Sequence, residues 1–145
     1  METFGIPTVP LTTPAGEVPV PQLGFGTWQS EGDEAYTSVR TALEVGYRHI
    51  DTATMYGNED LVGRALADSG LDRSDVFVTT KLRPNDAGRE DEVIEASLRN
   101  LGTDHVDLWL VHWPPDGDAS PHTWERFIAA HEAGRARAIG VSNYS

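Results

Sequence analysis

From residue 22 onward the chain repeats one unit, in which a short apolar strand is followed by a loop, an amphipathic helix and a glycine. Strands that are each followed by a helix pair in parallel through right-handed crossovers. The repeat therefore restricts the chain to an open doubly wound sheet or to part of a (β/α)8 barrel. The predicted strands are 22–28, 48–53, 76–81, 106–112 and 137–143.

The segment before the first unit favours the barrel. Two apolar stretches that contain proline, 9–11 and 18–20, flank a turn at 14–16, a pattern typical of a hairpin outside the main sheet. Such a hairpin can close the open bottom of a barrel. We therefore predict one domain over residues 1–145, with a hairpin in 1–21. Residues 22–145 would form a TIM-type (β/α)8 barrel of the α/β class, truncated to about five parallel strands and four helices.

The helices are predicted from apolar residues spaced three and four apart and from residues that favour helix ends. The first begins at about Asp33, and the second has Asn58 as its N-cap. The fourth has Ser120 as its N-cap and Pro121 at its first position. Glycines at 46, 70, 102 and 134 are expected to end the four helices.

Composition excludes several classes of protein. The net charge of −12 argues against binding to nucleic acid or to an anionic membrane, because both need a basic face. The sequence has no cysteine, which excludes disulfides and thiolate metal sites. It shows neither a signal peptide nor a run of about 20 apolar residues, so a cytoplasmic location is expected.

Polar and ionisable residues close most of the predicted strands, at the edge where parallel α/β folds gather their functional groups. Taken singly, each could cap a loop, snorkel to solvent or complete a hydrogen bond in the core. Together they favour a shared function, and one of them, Lys81, is the only lysine of the chain. The strand ends carry Gly26, Thr27, Trp28, Asp51, Lys81, His112, Trp113, Ser142 and Asn143, with Tyr56 on the loop after the second strand.

These side chains suit the reduction of a carbonyl group. A carbonyl that accepts hydride becomes an alkoxide and needs a proton, which tyrosine can donate although its ordinary pKa of about 10 makes it a weak acid. An ammonium beside the phenol stabilises the phenolate, so Lys81 would activate Tyr56 while Asp51 keeps Lys81 charged and oriented. His112 would hydrogen-bond the carbonyl oxygen, and the hydride must come from a cofactor.

Five segments resemble motifs of the aldo-keto reductase family, in the family's order. Residues 51–59 are similar to the signature around the catalytic tyrosine, 78–81 to the lysine strand, and 107–114 to the strand that presents the catalytic histidine. Residues 23–28 and 140–143 resemble the strands that approach the nicotinamide. The subgroup most resembled is the bacterial one that includes diketogluconate reductases. That subgroup often has an aromatic residue where Arg83 and Pro84 stand here.

The resemblance implies reduction of an aldehyde or ketone to an alcohol with NADPH, or alternatively with NADH. It implies Tyr56 as the proton donor, Lys81 and Asp51 as its activating pair, and no metal ligand. His112 would orient the carbonyl of a small-molecule substrate. The implied cofactor-binding residues are Gly26, Thr27, Asp51, Ser142 and Asn143, and the implied apolar walls of the substrate pocket are Trp28 and Trp113.

The length of the chain leads to a further expectation. A complete barrel of this kind usually needs about 250 residues, so the chain is expected to be the front half of one. The complete protein is expected to be a monomer. The 145-residue chain is expected to bind the cofactor poorly, to turn over slowly or not at all, and to self-associate through its open sheet edges.

Three other interpretations stay open. A metal-dependent barrel hydrolase would use His49, Asp51 and His112 as ligands, but it leaves the lysine and the tyrosine unexplained. A non-catalytic binding module on the same fold, or an inactive fragment, would need no turnover. A Rossmann dehydrogenase is disfavoured because Gln29 stands where the last glycine of its phosphate-binding motif is expected.

Overall fold

A computed structural model describes residues 5–144. It contains a two-stranded sheet and a five-stranded parallel sheet, with four α-helices. The prediction of five parallel strands and four helices is confirmed. The elements in order are β1 (Thr8–Thr13), β2 (Gly16–Pro21), β3 (Phe25–Gly26), α1 (Asp33–Glu44), β4 (His49–Asp51), α2 (Glu59–Asp68), β5 (Phe77–Leu82), α3 (Glu90–Leu101), β6 (Val106–Val111), α4 (Ser120–Glu132) and β7 (Ala136–Val141).

The order of the strands in the large sheet is that of a barrel wall. Each strand from β4 to β7 lies beside the one that precedes it in the chain. A doubly wound sheet would instead reverse its order at a switch point. Within residues 5–144, β3 and β7 each pair on one side only, so the wall is open at two edges.

Two predicted strands are shorter than the sequence pattern suggested. The first extends only over Phe25–Gly26 instead of 22–28, because the chain leaves the sheet on both sides of it. The side chain of Trp28 is 68% exposed, and Gln29 has a positive φ of 64°. The second strand covers His49–Asp51 rather than 48–53. The apolar residues Leu23 and Trp28 therefore lie in exposed loops outside β3.

The β1–β2 hairpin lies against the amino-terminal end of the sheet. Its strands are antiparallel and pair from Thr8 with Pro21 to Thr13 with Gly16. The Pro21 carbonyl lies 3.2 Å from Nδ1 of His49, the first residue of β4. The other ring nitrogen of His49 lies 2.8 Å from Thr79 Oγ1. The His49 ring therefore joins β4 to the hairpin and to β5 at this end of the sheet.

The hydrophobic core lies between the outer face of the sheet and the helices. Trp109 of β6 stacks on Phe127 of α4 with ring centroids 3.7 Å apart and planes 3° apart. Helices α2 and α3 approach closely at Gly63, where a Cβ atom would lie 2.2 Å from the Asn100 carbonyl oxygen. A larger residue at 63 would therefore force the two helices apart.

The inner face of the sheet carries the side chains that point towards the barrel axis. In the parallel pairing, Lys81 lies beside Leu110, and Leu110 lies beside Gly140. Because side chains alternate along a strand, Thr80 points to the opposite, helix-covered face. Lys81 thus stands at the carboxyl end of the inner face, where the candidate site lies.

Candidate active site

Lys81 is the centre of the candidate site. It is 7% exposed, and its ammonium forms an ion pair with Asp51 at the end of β4. The same Nζ donates to the Thr52 carbonyl at 3.2 Å and to Tyr56 Oη at 3.4 Å. An ammonium has three N–H donors, and each of them has an acceptor here. The charge of Lys81 is therefore fixed in place beside the phenol.

A short 3-10 turn brings Tyr56 to this position. The turn covers Thr54–Tyr56, and the Tyr56 N–H donates to the Ala53 carbonyl at 3.1 Å. It ends at Gly57, whose φ of 69° is in the left-handed region that favours glycine. The chain can reverse there and enter α2 two residues later. This local geometry places the phenol over the end of β5.

His112 follows β6 and faces the same tyrosine. Its backbone N–H donates to the Leu82 carbonyl at 2.9 Å, and its ring lies edge-to-face with Tyr56 at a centroid distance of 5.7 Å. Burial lowers the pKa of His112, and the charge of Lys81 lowers it further against the opposing effect of Asp51. The imidazole is therefore neutral at pH 7. Its buried Nδ1 has no hydrogen-bond partner among residues 5–144.

Ser142 and Asn143 stand beside His112 at the end of β7. The Asn143 amide donates to the His112 carbonyl at 2.7 Å and to Ser142 Oγ at 2.9 Å. These bonds leave the Asn143 carbonyl oxygen as an acceptor and the Ser142 hydroxyl as a donor. A primary carboxamide offers one donor group and one acceptor, so this pair fits the nicotinamide end of the predicted cofactor.

Gly26 and Thr27 occupy different environments at the end of β3. Gly26 pairs with Asp51 in register, and a Cβ added to it would meet nothing within 4 Å, so the space beside it is open. Thr27 is buried, and its hydroxyl donates to Thr52 Oγ1 at 2.9 Å. A contact of Thr27 with the cofactor stays a prediction, and in this structure its side chain ties β3 to the strand that carries Asp51.

Trp28 and Trp113 are exposed aromatic residues of this rim. Trp28 is 68% exposed and Trp113 is 48% exposed. The Trp113 ring lies 6.4 Å from the His112 ring. Exposed tryptophans beside a polar site can form apolar walls for a ligand, because burying them removes a large apolar area from water. Their role in a substrate pocket stays a prediction.

The ligand set of the hydrolase interpretation does not come together as a metal site. Both ring nitrogens of His49 are engaged, one by Pro21 and one by Thr79. Burial lowers the pKa of His49, so its ring is neutral but already partnered. Among residues 5–144 there is no group of three or more histidine, cysteine or acidic side chains that could hold a metal ion.

No helix among residues 5–144 is long and apolar enough to cross a membrane.

Two residues near the site have partners that the sequence interpretation missed. Asn58 was predicted as the N-cap of α2, and it occupies that position. Its side chain makes no cap bond and instead donates to the Thr27 and Ser30 carbonyls, each at 2.9 Å. Glu59, the first residue of α2, is buried rather than solvent-exposed. In the sequence, the only indication of these contacts was that Asn58 and Glu59 follow directly after the turn that carries Tyr56.

Comparisons with known proteins agree with the predicted resemblance. Residues 22–145 match the model of the Aldo/keto reductase family. The methylglyoxal reductase DkgA of Escherichia coli (strain K12) is 44% identical over 126 residues, which cover 86% of this chain and 46% of that protein. An aldo/keto reductase from Brucella melitensis has a crystal structure with a TM-score of 0.89 and 49% identity, covering 97% of this chain and 55% of that one.

A third relative was solved with a nicotinamide cofactor. The aldo-keto reductase of Bombyx mori in complex with NADP has a TM-score of 0.83 and 33% identity, covering 94% of this chain and 51% of that one. The chain spans about half the length of the curated relatives it matches. The family match includes all five parallel strands and every residue of the candidate site. The chain therefore belongs to the aldo/keto reductase family.

Proposed function

We propose that this protein reduces an aldehyde or ketone to an alcohol with NADPH, and that Tyr56 donates the proton. The contact between Lys81 Nζ and Tyr56 Oη at 3.4 Å carries this proposal. Because Lys81 donates to the phenol oxygen, the proton of Tyr56 itself is free to be donated elsewhere. NADPH, when bound, supplies the hydride that reduces the carbonyl carbon.

Asp51 and Lys81 prepare Tyr56 for this proton transfer. The ion pair keeps Lys81 charged in a mostly buried position, where an unpaired ammonium would be costly. After the phenol has lost its proton, the fixed ammonium stabilises the phenolate without rearranging. The two residues therefore make a weak acid effective at neutral pH, an effect typically worth about 10²- to 10⁴-fold in rate.

His112 positions the carbonyl oxygen in this proposal. The neutral imidazole carries one N–H donor and lies edge-to-face with the Tyr56 ring. A carbonyl oxygen held between the phenol and the imidazole would accept from both groups. Its negative charge would then develop next to the proton that neutralises it.

The cofactor is proposed to bind along the ends of β3, β4 and β7. Ser142 and Asn143 would hold the nicotinamide carboxamide, while Gly26, Thr27 and Asp51 would line the same end. The preference for NADPH is supported by relatives, among them the NADP complex from Bombyx mori and a yeast protein named glycerol 2-dehydrogenase (NADP(+)). NADH is the alternative that a direct comparison of the two cofactors would test.

The substrate is proposed to be a small carbonyl compound that fits between Trp28 and Trp113. Methylglyoxal is the first compound to test, because DkgA of Escherichia coli is named a methylglyoxal reductase. The 145-residue chain alone is expected to turn over slowly. Its sheet is open at β3 and β7 within the described residues, so one side of the rim has no wall.

Loss of NADPH absorbance at 340 nm in the presence of methylglyoxal tests the proposal. The chain is used in excess over NADPH, so that a single slow turnover is detectable. The unsubstituted 145-residue chain, called the parent below, is expected to consume NADPH at least about 10²-fold faster than Tyr56→Phe. The circular dichroism spectra of the two proteins are expected to be the same. Equal rates for the two proteins would contradict the proposed role of Tyr56, and no consumption by the unsubstituted chain would favour the alternative of an inactive fragment.

A further inference from the structure

Glu59 is a buried ionisable residue that the proposed mechanism does not use. It is the first residue of α2 and is 5% exposed. Its carboxylate accepts from Thr80 Oγ1 at 2.6 Å and from Ser97 Oγ at 3.2 Å. Thr80 belongs to β5 and Ser97 to α3, so one carboxylate joins three elements of the fold.

These hydrogen bonds lie directly behind the candidate site. Thr80 precedes Lys81 on β5, and the two side chains point to opposite faces of the sheet. Glu59 follows Tyr56 by three residues, with only the Gly57 turn and Asn58 between them. The bond from Thr80 to Glu59 therefore links the segment that carries the phenol to the strand that carries the ammonium.

Asn58 holds the same segment from the other side. Its amide donates to the Thr27 and Ser30 carbonyls after β3, while Glu59 is held by β5 and α3. The segment 56–59 is thus tied to strands on both sides of β4. The left-handed Gly57 joins the Tyr56 turn to this tied segment.

A carboxylate at this place is costly to bury. Burial raises the pKa of Glu59, and the hydrogen bonds from the two hydroxyl groups only oppose that effect. An apolar side chain of similar volume would avoid the cost of burying a carboxylate, but it would leave the Thr80 and Ser97 hydroxyls without this acceptor. What such a side chain cannot do is fix α2 to β5 by directional bonds.

We propose that Glu59 is a positioning residue, which holds the Tyr56 hydroxyl at its distance from the Lys81 ammonium through Thr80 and Ser97. This inference rests on the proposed function, because the reductase reaction is what requires that distance. It assigns Glu59 no contact with substrate or cofactor. Substitution of Glu59 is therefore expected to loosen the link between Tyr56 and Lys81 while the protein stays folded.

The single lysine of the chain allows this link to be measured without any turnover. Protein labelled with ¹³C at the lysine Cε gives one side-chain resonance, which belongs to Lys81. Tyr56→Phe is expected to shift that resonance in the parent, because the phenol oxygen is an acceptor of the Lys81 ammonium. In a Glu59→Ala background the shift caused by Tyr56→Phe is expected to fall to less than about half, as in a double-mutant cycle.

Two further variants change the hydrogen bonds of Glu59 with a smaller change of side chain than Glu59→Ala. Thr80→Val removes one donor from the outer face of β5 with little change of volume. Like Glu59→Ala, it is expected to reduce the shift of the Lys81 resonance that Tyr56→Phe causes. Glu59→Gln keeps an acceptor oxygen and is expected to restore part of that shift. If Glu59→Ala does not fold, the comparison of Thr80→Val with the parent replaces it.

Glu90 provides the matched control. It is also the first residue of a helix, is 2% exposed, and accepts from the hydroxyl of Thr123 at 2.9 Å. Its bond joins α3 to α4 and touches neither β5 nor the Tyr56 segment. Glu90→Ala is therefore expected to leave the response of Lys81 to Tyr56→Phe unchanged, although it removes the same kind of buried side chain.

The outcomes separate this inference from the proposed function. An undiminished response of Lys81 to Tyr56→Phe in folded Glu59→Ala and Thr80→Val would overturn the positioning role, whatever the activity. An altered response in a chain that never consumes NADPH would support the positioning role and count against the reductase activity. Where the parent turns over, Glu59→Gln is expected to lower kcat about tenfold with little change in KM, because the substrate contacts remain.

Discussion

The ammonium of Lys81 lies 3.4 Å from the hydroxyl oxygen of Tyr56 and 5.2 Å from the centre of its ring. The cation is therefore beside the oxygen where negative charge develops, not over the face of the ring. The two residues are 25 positions apart in the chain and come from neighbouring segments of the sheet. Their contact is the relationship on which the proposed chemistry depends.

Lys81→Met is expected to abolish most of the NADPH-dependent carbonyl reduction. It removes the ammonium that stabilises the phenolate and leaves Asp51 without its cation, so the rate should fall at least about 10²-fold. The measurement is NADPH consumption with methylglyoxal. Arg83→Met is the control, because Arg83 is a cation at the same end of β5 whose guanidinium donates to Asp86 at 2.7 Å. An equal loss of rate in both variants would contradict a special role for Lys81.

Gly63→Ala is expected to destabilise the fold without touching the site. The new Cβ would lie 2.2 Å from the Asn100 carbonyl oxygen and 2.8 Å from Leu101 Cα, so α2 and α3 must separate. Such overpacking typically costs about 1–3 kcal/mol in the free energy of unfolding, which urea denaturation measures. Gly26→Ala is the control, because a Cβ there meets nothing within 4 Å. Similar losses in the two variants would show that contact at 63 is not the cause.

Asp107→Asn is expected to weaken the amino-terminal end of the barrel wall. The buried carboxylate accepts from Arg73 at 2.7 Å, from the Val78 N–H at 2.8 Å and from Arg137 at 3.1 Å. Removing its charge leaves two guanidinium groups facing a neutral amide, a loss of about 2–4 kcal/mol in the free energy of unfolding.

Asp91→Asn is the matched control for this prediction. Asp91 pairs with Arg126 at 2.8 Å, but both side chains are largely accessible to solvent. Water and salt screen such a pair, so its removal is expected to change stability far less. Urea unfolding of both variants measures the difference, and equal losses would be inconsistent with a structural role specific to Asp107.

The stability of the protein is expected to depend on His49 as the pH falls. Burial lowers the pKa of His49 below its usual 6.5, so the unfolded chain binds more protons than the folded one below that value. The free energy of unfolding should therefore be highest above pH 6.5 and should decrease from there towards the folded-state pKa. His49→Gln is expected to reduce this decrease relative to the parent in urea unfolding at pH values on either side of 6.5.

Two features make the His49 comparison specific. His112, whose pKa is also lowered, contributes to the same pH range in both proteins, so only the difference between them reports on His49. His122→Gln on α4 is the control, because its side chain is 63% exposed. A pH dependence that is parallel in His49→Gln and the parent would argue against the buried neutral imidazole as its origin.

Self-association of the 145-residue polypeptide is expected to increase with salt. A cleft of about 540 Å³ lies between the hairpin turn, α4 and the open edge of β7, lined by Trp124, Ile128 and Ile139 among others. Apolar surface beside an unpaired strand edge favours association, while the net charge of −12 opposes it. Screening of that repulsion at about 1 M salt should raise the apparent mass in sizing chromatography with light scattering.

Ile128→Lys tests whether this surface is responsible. It adds a charge inside the cleft and is expected to reduce the salt-dependent increase in mass. Val45→Lys is the control, because Val45 is 70% exposed at the end of α1, away from the cleft. A monodisperse monomer of the parent at every salt concentration would rule out the predicted association.

Much of the fold could be predicted from the sequence because its signals are local. Apolar periodicity located the four helices, and the repeated strand–helix unit implied parallel pairing. The strand β3 was predicted too long, since the apolar residues Leu23 and Trp28 lie in exposed loops. The strand β4 was also predicted too long, although Thr52 and Ala53, which follow it, are buried. The spacing of apolar residues in a sequence does not distinguish an exposed apolar side chain in a loop from one that is buried in the core.

The sequence by itself determined which chemical groups stand at the strand ends, because parallel strands bring their carboxyl ends to one edge whatever the details of packing. Only the tertiary structure decided their partners. The buried hydroxyl of Thr27, the two carbonyls held by Asn58, and the hydroxyls of Thr80 and Ser97 on Glu59 are contacts over 21 to 38 positions. Such contacts depend on strand register, helix placement and side-chain rotamers, which no local pattern encodes.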